Sequence, residues 1–570
     1  MSTWMNLKTG LLHYSDNMVK TILFRGALLS LGLFFRYLVP LQPEYGGVHD
    51  DRLVVNLAIN ILDGNWLGTW ENSGNRILAK GPGYSFFLYL GHFLPWSQIM
   101  TNYLLIMLGV CIFSIRLDSI TGRKFFGNLL FILVVLNPVF YGEQFSRPYR
   151  DPFLASLYLL FVVLSIELFI RIQKLKYEYE IIKIYTIVMI LGLIVSIIIL
   201  TKNTGQLIIC LFIIMLNLLI YNLLRQIKLK AILGVILISL FSIMAPLLMV
   251  INQNVREYNV KLIDDFSYGA FNDVLTNWAR VGGGSDKDFT VIDKTMRNEV
   301  YRVSATAKKL EPFLENNLGE VDWVNYNCEN KIHCDEAGAW FPWDLRDAVV
   351  ESGLVNDLKS FQLVFAQINE DITQGCETGE LKCGGIFPSV MTKSLEKVSI
   401  RRFVNTSFQG LNHIINITSV GNAIYVGGEN PDRKSWARVI NGLPSETDYP
   451  EYRSSDLTLN YLTSTLLILY KYIWVGMIIL FFVNLPIRIA NFTSLRNQPL
   501  DYMWSNITLI TLFNMVALTY LQVSNGLYMD AGGVYLTALY PIICILGVIE
   551  IEYFMRITRS KIQTDRSVNL

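Results

Sequence analysis

Ten stretches of the chain run almost without charge for about the thickness of a bilayer: residues 21–41, 98–115, 125–141, 152–169, 184–201, 206–224, 231–251, 466–487, 504–522 and 532–549. A helix needs roughly 20 mostly apolar residues to cross the hydrocarbon layer, so each stretch predicts a membrane-spanning helix. Residues 84–96 are apolar but too short to cross, and predict a helix lying at the membrane surface. Between 252 and 456 the pattern turns polar, with Gly, Asp and Asn throughout and no run long enough to span. The chain therefore divides into a transmembrane module with seven spans (1–251), an inserted soluble domain (252–456) and a second module with three spans (457–570). The fold class expected is a polytopic α-helical membrane protein with one inserted, mixed but mostly helical, extracytoplasmic domain. Within that domain, residues 341–352 and 358–372 have helical apolar spacing, while 398–408 and 419–426 read as strands. No internal repeat or low-complexity segment is visible.

Composition agrees. The chain of 570 residues is 52% hydrophobic and 17% charged, against about 25% charged for soluble proteins. This excludes a disordered chain, a coiled coil and a nucleic-acid binder that works through bulk charge. Net charge is +1, so only the placement of charge is informative. With a cytoplasmic N-terminus, Lys and Arg crowd the cytoplasmic loops and are sparse in the short outer loops, as the positive-inside rule requires. Both termini are then cytoplasmic and the inserted domain lies outside. The first span is long and no small-residue cleavage site follows it, so it is not expected to be a cleaved signal peptide. Of seven cysteines, Cys111, Cys210 and Cys544 sit singly in apolar spans. The other four form close pairs in the inserted domain, Cys328 with Cys334 and Cys376 with Cys383. Paired cysteines suggest two small-loop disulfides in an oxidising compartment. A zinc site is the competing reading, but the spacings are not Cys-x-x-Cys and His333 is the histidine at hand.

The outer loops carry the chemistry. The first contains His49-Asp50-Asp51-Arg52 and Lys80-Gly81-Pro82-Gly83-Tyr84, the second Arg147-Pro148-Tyr149-Arg150-Asp151, and the third Lys202. Ionisable groups beside a bilayer are costly and are functional candidates by default. Asp50 and Asp51 are adjacent carboxylates able to take a proton from an acceptor hydroxyl. Arg36, Lys80, Arg147, Arg150 and Lys202 are cations on or near the same face, and clustered cations bind phosphate. A carboxylate base beside such a cluster suggests transfer of a group from a lipid phosphate, with the cations stabilising the leaving group. Plainer readings stand beside this one. The Asp pair would also suit a helix N-terminus, Arg36 would also snorkel, and Arg147 and Arg150 would also pair with Glu143 and Asp151. His49 reads as a neighbour that tunes the aspartates. Trp340 and Trp343 suit either a sugar site or a core or surface anchor. No metal ligand set is assigned; a divalent ion is compatible with the sequence but not required by it.

Taken together, Leu33-Phe34-Phe35-Arg36, Asp50-Asp51, Leu57-Ala58, Ile61-Leu62, Gly64 and Lys80-Gly81-Pro82-Gly83-Tyr84 resemble the opening of GT-C glycosyltransferases. Arg150-Asp151-Pro152, Leu200-Thr201-Lys202 and Tyr535 with Leu539-Tyr540-Pro541 resemble further family positions. The resemblance covers residues 25–250 and, more loosely, the C-terminal spans. It implies a polyprenyl-phosphate-linked sugar donor, inverting transfer on the outer face, and a first-loop Asp as base, either Asp50 or Asp51, with Asp50 preferred. It places Asp151 at a second acidic position, and Lys80, Arg150 and Lys202 near the lipid phosphate. Gly81-Pro82-Gly83 stands where the family has Pro-Pro, which leaves the local backbone open. The segments from Trp340 to Ala348 and from Cys376 to Cys383 resemble bacterial members, such as serotype-converting O-antigen glucosyltransferases. The implied setting is the bacterial inner membrane with the domain in the periplasm; the implied partners are membrane lipid, the lipid-linked donor and a surface-glycan acceptor, with no nucleic acid. No Trp-Trp-Asp motif is present, which disfavours transfer of whole oligosaccharides to protein. A transporter or flippase of lipid-linked glycans, a polysaccharide polymerase or ligase, and a receptor domain on inert spans are the competing functions.

Overall fold

The computed structural model describes residues 2–39, 41, 50–173, 178–202, 229–320, 340–387, 392–417, 433–441, 454–490, 499–526 and 534–568. The expected span at 206–224, the strand at 419–426, His49, Cys210, Cys328 and Cys334 lie outside these residues. The longer helices of the first part are α1 (Ser2–Leu38), α2 (Asp51–Leu62), α3 (Gly83–Gly91), α4 (Gln98–Thr121), α5 (Lys124–Val135), α6 (Arg150–Gln173), α7 (Glu178–Thr201) and α8 (Leu229–Tyr258). Those of the inserted segment are α9 (Ala270–Arg280), α10 (Lys294–Val303), α11 (Ala305–Glu320), α12 (Phe341–Glu351), α13 (Leu358–Glu377) and α14 (Ile400–Asn416). Three more close the chain: α15 (Ser454–Ala490), α16 (Pro499–Asn525) and α17 (Tyr540–Val568).

Among the described residues nine helical segments are long and apolar enough to cross a membrane. They coincide with nine of the ten expected spans, and the chain is a polytopic α-helical membrane protein. Hydrophobic side chains such as Ile22, Leu23, Phe241, Met249 and Phe482 stand exposed on these helices, as lipid-facing residues should. The short apolar run near residue 84 forms α3, only nine residues long. Local signals set the helix ends. Ser97 caps α4 by accepting from the Met100 N–H at 3.2 Å, and Gly122, with φ +67°, closes it in the left-handed region. Asp357 and Ser360 form a reciprocal capping box on α13.

The segment expected as a strand at 398–408 is helical from Ile400 onward, where it forms the first half of α14. Its Ile and Val suggested extended backbone, but its buried positions Thr406, Gly410 and Ile414 recur every four residues, a helical period. The described residues contain no strand beyond an isolated bridge between Val281 and Cys383. Cys383 is joined by a disulfide to Cys376.

Two hydrophobic cores meet at α2. The membrane core, built from side chains such as Phe113, Leu159, Val195 and Ile545, takes Val54, Val55 and Ala58 from α2. The core of the inserted segment, with Phe271, Trp278, Phe341, Phe361 and Phe365, takes Leu53 and Leu57, together with Ile77 and Leu78 of the loop that follows. The start of α2 is therefore fixed where the two cores touch. At the opposite membrane face, ion pairs tie the spans together. Arg25 of α1 binds Asp118 of α4 at 2.6 Å, Arg116 of α4 binds Glu167 of α6 at 2.5 Å, and the fully buried Arg488 of α15 binds Asp501 of α16 at 2.6 Å.

In the inserted core Arg346 and Asp265, both completely buried, form an ion pair at 2.7 Å. The Arg346 guanidinium lies 4.9 Å from the ring centres of both Phe271 and Phe361. Removing one member of a buried pair strands the other charge and costs about 3–5 kcal/mol. Arg346→Ala is therefore expected to lower the thermal unfolding temperature of the purified protein sharply. The double variant Arg346→Leu with Asp265→Ala should recover most of the loss in the same measurement.

Candidate active site

Asp50 occupies the N-cap position of α2, yet its side chain makes no capping hydrogen bond. Its Oδ1 instead accepts from Lys80 Nζ at 2.5 Å and from the Tyr149 hydroxyl at 3.4 Å. Lys80 is buried, with 6% of its side chain exposed, whereas 39% of Asp50 is open to solvent. Burial alone would raise the Asp50 carboxyl, but Lys80, Arg150 and Arg147 hold it well below the usual carboxylate range. Burial, reinforced by Arg150, pulls the Lys80 ammonium down to about 8 against the opposite pull of Asp50.

Its neighbour Asp51 is treated differently. It is fully buried and held from both oxygens by Arg147, with Nη2 at 2.9 Å from Oδ1 and Nε at 3.2 Å from Oδ2. The Arg147 guanidinium also lies 5.0 Å from the Tyr149 ring centre. A bidentate pair of this kind fixes geometry: it locks α2 to the second outer loop. The two aspartates are adjacent in sequence but differ in access.

The second and third outer loops complete the cluster. Lys202 Nζ donates to Asp151 Oδ1 at 2.6 Å and lies 4.3 Å from the Tyr535 ring centre; burial lowers the Lys202 ammonium from its ordinary value. Arg150 Nη1 donates to the Thr201 carbonyl at 3.4 Å, and its Nε is buried with no hydrogen-bond partner among the described residues. The same holds for Asp151 Oδ2. Tyr535, which leads into α17, thus brings the C-terminal part of the chain to Lys202.

Glycine explains how the loops come so close. A Cβ on Gly81 would overlap the Leu200 carbonyl oxygen, and one on Gly83 would stand 2.8 Å from the Thr201 nitrogen. The Lys80 loop is pressed backbone to backbone against the end of α7, one residue before Lys202. A side chain at Gly81 or Gly83 would not fit this contact.

Several expected residues are placed elsewhere. Arg36 is buried and turned inward, with Nη1 donating to the Phe140 carbonyl at 3.0 Å and Nη2 to Val39 and Ser146 at 3.1 Å each; it ties the end of α1 to the second outer loop. Trp343 packs between Arg76, 5.4 Å from its ring centre, and Phe266 at 5.0 Å. Trp340 stands at the start of α12. The segment around these tryptophans holds the first outer loop: Asp347 accepts from Asn75 Nδ2 and Arg76 Nη2, both at 2.9 Å. The Asp265 N–H donates to the Leu78 carbonyl at 3.0 Å, two residues before Lys80.

The sequence reading missed Asp264 and Tyr149. Asp264 is buried and accepts from the Ser267 N–H at 2.8 Å and hydroxyl at 2.5 Å. Burial, despite those bonds and the nearby charge of Arg150, raises its carboxyl to about 6. Its position in a polar stretch more than 180 residues from Lys80 carried no signal. Tyr149 lay between two quoted arginines, and its hydroxyl was the available clue. Among the described residues no group of three or more His, Cys, Asp or Glu side chains is arranged to hold a metal ion.

No family model and no curated protein matches the chain. Among solved structures it is similar to ArnT from Cupriavidus metallidurans in the apo state, with 11% identity and a TM-score of 0.30 over 94% of this chain and 78% of that one. The same protein bound to undecaprenyl phosphate aligns at 11% identity and a TM-score of 0.29, over 93% and 77%. Likeness at this level does not establish a shared activity.

The Lys80–Asp50 pair has a measurable signature. Pulse acylation at varied pH, read residue by residue by mass spectrometry, should show Lys80 becoming reactive around pH 8, since the neutral amine is the nucleophile. Asp50 holds the Lys80 pKa up, so Asp50→Asn should move the onset to lower pH. An onset unchanged by that substitution would show the pair to be absent in the membrane.

Proposed function

We propose that the chain is an inverting glycosyltransferase of the GT-C type, moving a single sugar from a polyprenyl-phosphate carrier to a surface glycan. The observation that supports this best is a half-exposed carboxylate, Asp50, in contact with a buried lysine on a membrane face that also gathers Arg150 and Lys202. A lipid phosphate at that rim meets cations while its chain stays in the hydrocarbon. An acceptor arriving from water meets Asp50.

The ion pair suggests the order of events. While bound to Lys80, Asp50 is held too acidic to serve as an effective base. The donor phosphate competes for the Lys80 ammonium, and as Lys80 turns to the phosphate, the Asp50 carboxylate gains basicity. The acceptor oxygen then bonds to the anomeric carbon as the carbon–oxygen bond to phosphate breaks. Asp50 takes the hydroxyl proton, and Lys80, Arg150 and Lys202 stabilise the charge on the departing phosphate. Attack opposite the leaving group inverts the anomeric centre. Asp151 keeps Lys202 in place, Asp51 and Arg147 hold the frame, and Trp340 with Trp343 support the loop rather than stack on sugar.

The proposed setting is the inner membrane of a bacterium, with both termini cytoplasmic and residues 252–456 in the periplasm. The proposed donor sugar is a hexose such as glucose and the acceptor a polysaccharide such as O-antigen, as in serotype conversion. The deciding experiment incubates the purified protein with a panel of polyprenyl-phosphate sugars and membranes bearing candidate glycans. Transfer of one sugar with inverted configuration is expected; movement of lipid-linked glycan across the bilayer without transfer would favour a flippase.

Two sets of variants should separate roles. Asp50→Asn keeps the shape but removes the base, and should lower turnover by about 10²–10⁴-fold with donor binding retained. Asp51→Asn should instead reduce the yield of folded protein, because it breaks a buried pair. Lys80→Ala and Lys202→Ala should each weaken donor binding by about 10- to 150-fold, the range for one hydrogen bond to a charged group. Titration with the polyprenyl phosphate alone reads this out.

A further inference from the structure

Helix α14 has three distinct sides. At 3.6 residues per turn, successive side chains are offset by about 100°. On one side Thr406, Gly410 and Ile414 are buried, and this side meets the spans: the Ser407 hydroxyl donates to Thr519 Oγ1 of α16 at 3.4 Å. The Tyr540 hydroxyl, at the head of α17, donates to the His413 carbonyl at 3.5 Å. A second side carries Ile400, Val404 and Phe408, exposed by 82%, 43% and 66%, with Leu411 between them; together they fill an arc of about 80°. The third side carries Arg401, Asn405, Gln409 and Asn412, all exposed and all polar.

The depth of the helix follows from what it touches. The segment leading into it is clipped to the end of α16, where the Lys393 N–H donates to Ser524 Oγ at 3.1 Å and the Tyr520 hydroxyl donates to the Lys393 carbonyl at 2.7 Å. Helix α16 has 27 residues and is about 40 Å long against a hydrocarbon layer of about 30 Å, so about 5 Å projects at each end if it is centred. Thr519 lies six residues, or about 9 Å, before the end at Asn525. The Ser407 contact therefore stands just inside the hydrocarbon boundary.

We propose that α14 is a membrane-surface helix whose Ile400, Val404 and Phe408 arc is seated among the acyl chains of the leaflet on the site's side. An apolar arc beside a polar arc, at that depth, is the pattern of a helix lying in the interface plane. Arg401, at the edge of the polar side, faces the headgroups. Arg402 Nη2 binds Asp288 Oδ2 at 2.7 Å, so the lipid-seated helix is tied to the loop between α9 and α10 and sets the height of that part of the inserted segment over the bilayer.

The test uses the full-length chain in liposomes of phosphatidylethanolamine and phosphatidylglycerol. Benzoylphenylalanine is placed singly at Ile400, Val404 or Phe408, and at Arg401, Asn405 or Gln409, and irradiated. Mass spectrometry should find acyl-chain adducts from the first three positions and their loss to background from the second three. Three positions on each side guard against one variant failing to insert. Equal lipid adducts from both sides would overturn the proposal. So would adducts from Val404 and Phe408 to another segment of this chain or to a second copy of it.

Discussion

Charge at the edge of a bilayer is tolerable only where it is paired, and this constraint shapes the membrane face that carries Asp50 and Lys80. Asp51 has Arg147, Lys202 has Asp151, and Arg346 has Asp265. In each of these pairs both members are buried or nearly so. Lys80 and Asp50 differ, because the lysine is buried and the aspartate is half open. Desolvation strengthens the attraction within a pair and also penalises each separated charge. A pair with one member facing water is the one that an incoming anion can exchange at least cost.

The pairs also depend on one another through the backbone. Lys80 sits on a loop whose preceding residues are gripped by Asp347 and by the Asp265 N–H. Its following glycines press on the end of α7, which presents Lys202. Asp265 is itself fixed by Arg346, whose guanidinium is enclosed by phenylalanine rings. The inserted segment is thus part of the frame of the site. A chain without it would keep the cations but lose what aims them.

Much of this was legible in sequence for simple reasons. A span announces itself because some twenty consecutive residues must all be apolar, and nine such runs became helices. The outer-loop charges stood out because ionisable groups are sparse in such a chain. Their partners were less legible. Arg36 read as a phosphate ligand because its type and position allow it; only the carbonyls of Val39 and Phe140 show where its guanidinium turns. Asp264 was invisible because its nearness to Arg150 is created by folding across more than 100 residues. Helix α14 read partly as a strand because its exposed arc supplies Ile, Val and Phe. Those are strand-favouring residues in water, but they are equally suited to a helix side that meets lipid.

At the membrane face away from the site, Arg488 joins α15 to Asp501 of α16, and the Asn484 amide of α15 and the Trp504 indole of α16 both donate to Glu550 of α17. Three helices are thereby stapled at one end. The ends near the site are held as well: the Tyr540 hydroxyl of α17 donates to the His413 carbonyl of α14, and Tyr520 and Ser524 of α16 clip the chain at Lys393. Helices α16 and α17 are therefore held at both ends, so the position of Tyr535 beside Lys202 depends on contacts at both faces of the membrane.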